Sequence, residues 1–246
     1  MEQTPVEPEV MGWLRRASTA TITTQLFQRG FRNVFLNGLT PINPRHCEFV
    51  GQAVTLRSIP MREDLDTLES LRDPDHPQRK AIETVNHGQV LVMDCRGDLR
   101  GASGGNILIT RLRVRGAAAL VSDGSLRDSP EIARQPFPVF AAGQSANLNL
   151  VVHHAVDINV PIACAGVSVY PGDVIVGDAE GVVVVPRYLA AEVARPAAEQ
   201  EEMERFILEK IEAGAALPGT YPPNEETLAE YERWRERPAA AAEESA

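Results

Sequence analysis

The chain has 246 residues with 43% hydrophobic and 24% charged residues, enough for one large globular domain or two small ones. Its net charge of -10 is uneven: residues 197–246 hold thirteen Glu against five Lys or Arg, so the remainder is close to neutral. That pattern excludes a basic nucleic-acid-binding surface, and no apolar run is long enough for a membrane span. The start, Met1 to Val10, lacks the basic and apolar regions of a secretory signal, so a cytoplasmic location is expected.

In chain order, residues 15–30 place Ala17, Ala20, Ile22, Leu26 and Phe27 at helical spacing, with Ser18 or Thr19 as cap and Gly30 as stop. Residues 49–59 alternate like a strand, and 61–77 are a charged, proline-broken loop with a short helix. A short helix is predicted over 80–86 and a buried strand over 89–94. The glycine-rich segment 101–105 reads as a turn opening a helix over 106–115, stopped by Gly116. A second buried strand covers 117–123. Ser129-Pro130-Glu131 starts a helix with Ser129 as cap, and 137–141 is a short strand.

Residues 162–170, 173–176 and 181–185 are β-branched strands separated by Pro171-Gly172 and by the turn 177–181. From Tyr188 the pattern is helical up to Gly214, with Met203, Phe206, Ile207, Lys210 and Ile211 on one stripe and the glutamates 199–204 on a solvated face. Pro222-Pro223 breaks the tail before a last helix over 225–237, and 238–246 is expected to be disordered. The βαβ alternation followed by strands and then helices predicts one α/β domain with a mixed sheet and a helical C-terminal extension. The assignment is an N-terminal arm over 1–16, the domain over 17–198, the extension over 199–237 and the tail over 238–246.

Two segments carry candidate chemistry. Gly104 and Gly105 precede the helix start at Asn106, where unpaired backbone N–H groups and the positive end of the dipole face an approaching anion; a ligand-free tight turn explains the same residues. Arg127 and Asp128 follow a buried strand, at the strand end where α/β sheets gather their ligands. The arginine suits a carboxylate or enolate oxygen and the aspartate a divalent cation; a surface ion pair is the plainer alternative. Asp123 reads as a turn cap. The three cysteines, Cys47, Cys95 and Cys164, lack ligand spacing and read as buried free thiols. His153-His154 reads as a polar edge rather than a metal pair, because neighbouring side chains diverge.

The stretch from Gly105 to Asp128 resembles the core of the RraA-like family, named for the regulator of ribonuclease activity A and including 4-hydroxy-4-methyl-2-oxoglutarate aldolases. The likeness extends to Ser18-Thr19-Ala20-Thr21-Ile22, Asn159-Val160-Pro161-Ile162, Val169-Tyr170-Pro171-Gly172-Asp173 and the run from Gly177 to Pro186, covering about residues 17–198. Tyr221-Pro222-Pro223-Asn224-Glu225 resembles longer members.

The resemblance implies a swivelling β/β/α sandwich, a homotrimer or homohexamer with sites between subunits, and a divalent-metal-dependent lyase. Such an enzyme cleaves a 2-keto acid through a pyruvate enolate, as an aldolase or as an oxaloacetate decarboxylase. It implies substrate contacts at Gly105, Asn106, Ile107 and Leu108, largely through backbone N–H groups, and at the Arg127 side chain. Arg127 and Asn106 take the catalytic positions, and Asp128 holds Mg2+ or Mn2+. Family aldolases typically carry Asp or Glu where this chain has Asn106, which cannot exchange a proton near neutral pH. Two other functions fit the resemblance: dehydration or hydrolysis of a 2-keto-3-deoxy sugar acid, and non-catalytic masking of a ribonuclease.

Overall fold

The computed structural model describes residues 5–236, so the expectation of a disordered tail over 238–246 lies outside the described residues. In chain order the elements are α1 (Pro8–Leu14), α2 (Thr19–Gln28), β1 (Thr40–Pro41), β2 (Phe49–Pro60), α3 (Pro77–Thr84), β3 (Gln89–Asp94), β4 (Ala102–Gly104), α4 (Asn106–Val114), β5 (Ala119–Leu126), α5 (Ser129–Ile132), β6 (Val139–Gln144), β7 (His153–Ile158), β8 (Ile162–Cys164), β9 (Val167–Val169), β10 (Val174–Gly177), β11 (Val182–Val185), α6 (Ala190–Glu212) and α7 (Glu225–Arg235).

One mixed sheet runs β1-β6-β5-β3-β2-β10-β11. Its centre is parallel, since α3, α4 and α5 return the chain between β2, β3, β5 and β6. β2 is long enough to serve two neighbours along one edge: Phe49 to Gln52 pair with β10, and Leu56 to Pro60 pair with β7 with a bulge at Arg57/Ser58. β8 and β9 form a separate hairpin. The result is the mixed α/β sandwich with a helical C-terminal extension that the sequence predicts.

Strand alternation sorts the apolar side chains into three layers. Leu91, Met93 and Leu120 face Ile82, Ile109, Leu112 and Ile132 of the crossover helices. Val90, Val92 and Val121 face the opposite way, onto Ile162, Cys164, Val167 and Val169 of the hairpin. In β10 and β11, Ile175, Val182 and Val184 join that second layer, while Val174, Val176, Val183 and Val185 turn outward under α1, α2 and α6. All three cysteines are buried free thiols.

Several local expectations need correction. The apolar run 162–170 is two strands, because Ala165 and Gly166 both take positive φ (48° and 76°) and reverse the chain. The cap of α5 is Asp128, not Ser129; Ser129 is already helical. α3 begins at Pro77 rather than residue 80, and β6 covers 139–144 rather than 137–141. α1, β4 and β7 were not expected from the sequence pattern. The glutamates of 199–204 do not all face water: Glu201 accepts the Ser18 N–H (2.8 Å) and Glu202 accepts the Tyr231 hydroxyl (3.1 Å). α2 does start as expected, with the Ser18 hydroxyl accepting the Thr21 N–H, a cap worth about 1 kcal/mol. Among the described residues no helix is long and apolar enough to cross a membrane.

The two adjacent histidines diverge as expected. His154 meets the buried Asp66 carboxylate at 2.7 Å. His153 is buried between the Gly101 carbonyl (3.2 Å) and Arg96 Nη2 (3.5 Å). Arginine only donates, so Nδ1 accepts and Nε2–H donates to Gly101, which makes the ring neutral. Burial, helped by Arg96, holds its pKa below the ordinary 6.5, and burial does the same at His76. In the unfolded chain both rings take up protons near pH 6.5, where the folded protein resists them. Stability is therefore retained above that value and lost as pH falls below it. We expect Tm to drop between about pH 7 and about pH 5, and the drop to shrink in His153→Gln, which keeps both contacts without a titrating ring.

Candidate functional site

β4 and β5 run parallel at their ends, with Ala102 opposite Ser125 and Gly104 opposite Leu126. Beneath this join lies a buried polar floor. The Ser103 hydroxyl meets Ser122 Oγ (2.9 Å) and donates to the Ser125 carbonyl (3.0 Å), and Gln78 Nε2 donates to the Ser103 carbonyl (2.6 Å). The Arg127 N–H continues the pairing onto the Gly104 carbonyl at 3.1 Å. The start of α4 and the residues leaving β5 are thereby held side by side.

Asp123 secures the far side of β5. Its carboxylate accepts the N–H groups of Cys95 (2.6 Å), Gly97 (3.1 Å) and Ala165 (3.3 Å), tying the strand to the turn after β3 and to the β8–β9 hairpin. It is a turn cap, as the sequence suggests, and burial raises its pKa despite these three donors.

Arg127 and Asp128 come together over Gly105. Arg127 Nε lies 3.8 Å from Asp128 Oδ2, with the two side chains 40% and 42% exposed. Asp128 takes a left-handed backbone (φ 60°, ψ 32°), which lets its carboxylate fold back to accept the Asn106 N–H at 3.1 Å. Aspartate tolerates that region better than most residues. Gly105 itself is extended (φ -144°), so its backbone suits any residue. Its requirement is space, since a Cβ there would stand 2.7 Å from Asp128 Oδ2 and 3.1 Å from Arg127 Cγ. Gly105→Ala should therefore push the carboxylate aside while leaving the fold intact. We expect a Tm within a few degrees of the parent and an activity at least about tenfold lower, read by parallel thermal and turnover assays.

The remaining candidates divide. The N–H groups of Ile107 and Leu108, in the first turn of α4, have no acceptor among the described residues. The Ile107 side chain is 81% exposed, and Leu108 packs on the core. The Asn106 side chain meets the segment after α5, where Gln135 Nε2 donates to Asn106 Oδ1 at 2.5 Å. Beside Arg127 and Asp128 opens a cleft of about 550 Å3, walled also by Pro130, Gln144, Ser145 and Ala146. Sequence reasoning missed Gln135, Gln144 and Ser145. Gln144 ends β6, Ser145 follows it and Gln135 follows α5, and no motif marks them. Among the described residues no three His, Cys, Asp or Glu gather into a metal cluster.

The family model for RraA-like proteins, described as Aldolase/RraA, matches residues 19–184. The chain belongs to the RraA-like family. A putative 4-hydroxy-4-methyl-2-oxoglutarate aldolase of Halalkalibacterium halodurans is 36% identical over 138 residues, 54% of this chain and 65% of that protein. The chain thus matches just under two thirds of the length of that relative. Two similar solved structures cover more of this chain. An uncharacterized protein from Pseudomonas syringae pv. tomato has a TM-score of 0.79 at 27% identity, covering 91% of this chain and 98% of its own. Streptomyces coelicolor RraAS2, described as an unusual member of the RNase ES inhibitor RraA family, has a TM-score of 0.73 at 30% identity, covering 83% and 98%. The family match spans every residue of the cleft.

Proposed function

We propose that this RraA-like protein is a divalent-metal-dependent carbon–carbon lyase that cleaves a small 2-keto acid through a pyruvate enolate. The observation that carries this reading is the convergence of one guanidinium and one carboxylate over the exposed N-terminus of α4. The aldolase names of its relatives support it.

The carboxylate of the 2-keto acid would meet the open N–H groups of Ile107 and Leu108, where the helix dipole favours an anion. Arg127 would pair with the same end of the substrate and stabilise the negative charge that grows on the keto oxygen as the carbon–carbon bond breaks. Asp128 fits a hard cation. Only Oδ2 is engaged, by the Asn106 N–H, and the half-exposed carboxylate leaves room for the waters that Mg2+ or Mn2+ keeps. The cation, when bound, would supply Lewis-acid polarisation of the substrate's oxygens.

Asn106 decides between two forms of this chemistry. Retro-aldol cleavage needs a group that takes the hydroxyl proton, and a carboxamide has no proton to exchange near neutral pH. Decarboxylation of a 2-keto acid with a second carboxylate, as in oxaloacetate, needs only the electron sink. We therefore favour decarboxylation, with aldol cleavage dependent on a base other than Asn106. The test is pyruvate release from oxaloacetate and from 4-hydroxy-2-oxo acids with magnesium present. Absence of turnover across that panel rejects the lyase.

A second reading, a protein that masks a ribonuclease, draws on the description of the Streptomyces neighbour. Co-purification with a ribonuclease, together with no magnesium uptake by calorimetry, would favour it. As the family resemblance suggests, we also propose a homotrimer or homohexamer with sites between subunits, which sedimentation can test.

A further inference from the structure

The side chain of Asn106 is held in one orientation by a chain of hydrogen bonds that starts at an arginine. Arg113 Nε donates to Gln135 Oε1 at 3.1 Å. An arginine has donors only, so the oxygen of Gln135 must face it. Gln135 Nε2 is thereby turned the other way, where its two protons reach Asn106 Oδ1 (2.5 Å) and Thr110 Oγ1 (2.9 Å). The Gln135 main chain is fixed as well, because its carbonyl accepts from Asn43 Nδ2 (3.1 Å) and its N–H donates to the Ile132 carbonyl (2.9 Å). With Oδ1 occupied by Gln135, Asn106 Nδ2 is the free end of the carboxamide, and it has no partner among the described residues. Reversing either amide would set donor against donor at Arg113 or at Asn106.

We propose that Gln135 is a positioning residue that locks the Asn106 carboxamide with its NH2 group outward, so that the site selects a substrate carrying a hydrogen-bond acceptor there. A carboxylate or oxo oxygen satisfies that donor. A hydroxyl that must lose its proton finds no base in Asn106. The substrate half of this proposal rests on the lyase reading; the orientation half does not.

Gln135→Glu tests it, because it keeps the shape of the side chain while exchanging its donors for a negative charge; the amide exchange, which that charge alone does not reverse, carries the test. A carboxylate still accepts from Arg113 and from the Thr110 hydroxyl but cannot donate, so Asn106 must turn its NH2 inward to meet it. The measurement is hydrogen exchange of side-chain amides on 15N-labelled protein. In the parent, both Gln135 amide protons should exchange slowly and the Asn106 pair rapidly. In Gln135→Glu the Asn106 pair should slow, Tm should hold, and the affinity for oxalate, used as an acceptor-rich probe with magnesium, should fall about tenfold. Slow exchange at Asn106 in the parent, or no change in the variant, overturns the proposal. Should the variant fail to fold, exchange in the parent decides alone. Failure of oxalate to bind the parent rejects the lyase reading and leaves the amide result standing.

Discussion

Arg127→Ala is expected to lower kcat for pyruvate release by about 10²–10³-fold while leaving the fold unchanged. The side chain is 40% exposed and belongs to none of the apolar layers, so its loss opens no cavity. The main chain at this position is held independently, through its N–H on Gly104. What disappears is the guanidinium in the wall of the cleft, the only one among the described lining residues, which can pair a substrate carboxylate with two parallel donors or donate to the enolate oxygen. Arg127→Lys keeps the charge but not the fork, and should recover only part of the loss. Steady-state turnover with circular dichroism as a fold check is the measurement. Full activity in Arg127→Ala would remove the basis of the lyase reading.

Asp123→Ala should be the most damaging single change to stability among the residues around the site. Three backbone N–H groups converge on this buried carboxylate; alanine strands that of buried Cys95 and leaves those of Gly97 and Ala165, which lie nearer the surface, to water. The unsatisfied buried donor costs about 1–3 kcal/mol and each of the two nearer the surface about 0.5–1 kcal/mol, so a net loss of about 2–4 kcal/mol is expected. For a chain of this size that lowers Tm by roughly 5–10 °C, read by calorimetry. Asp123→Asn should do less harm, because its carbonyl oxygen still accepts. An Asp123→Ala protein as stable as the parent would show that the two turns hold themselves.

Much of this was legible from the residues. The strand over 89–94 was placed to the residue, because a strand buried on both faces reads as a continuous apolar run, here closed by the charge of Asp94. The start of α4 at Asn106 and the placement of Arg127 and Asp128 beyond a buried strand also followed from glycine and charge positions. β4 was not legible. Ala-Ser-Gly has little strand preference, and it is a strand only because β5 offers it partners. α1 is seven residues long and gains its stability from packing on α6, which no local pattern announces. The β8–β9 turn was hidden because alanine rarely takes positive φ, so Ala165 looked like one more strand residue. The left-handed Asp128 is the same kind of case: its conformation is set by the contact with Asn106, twenty-two positions away.

The bond from Ser103 to Ser122 and the grip of Asp123 on its three donors have a consequence for ligand binding. Together they fasten the strand that aims Arg127 at both its flanks before any ligand arrives. The entropy of ordering the site is thus spent when the chain folds, and little remains to be lost on association. Loosening either fastening should weaken affinity through a less favourable entropy, with the enthalpy of contact nearly unchanged.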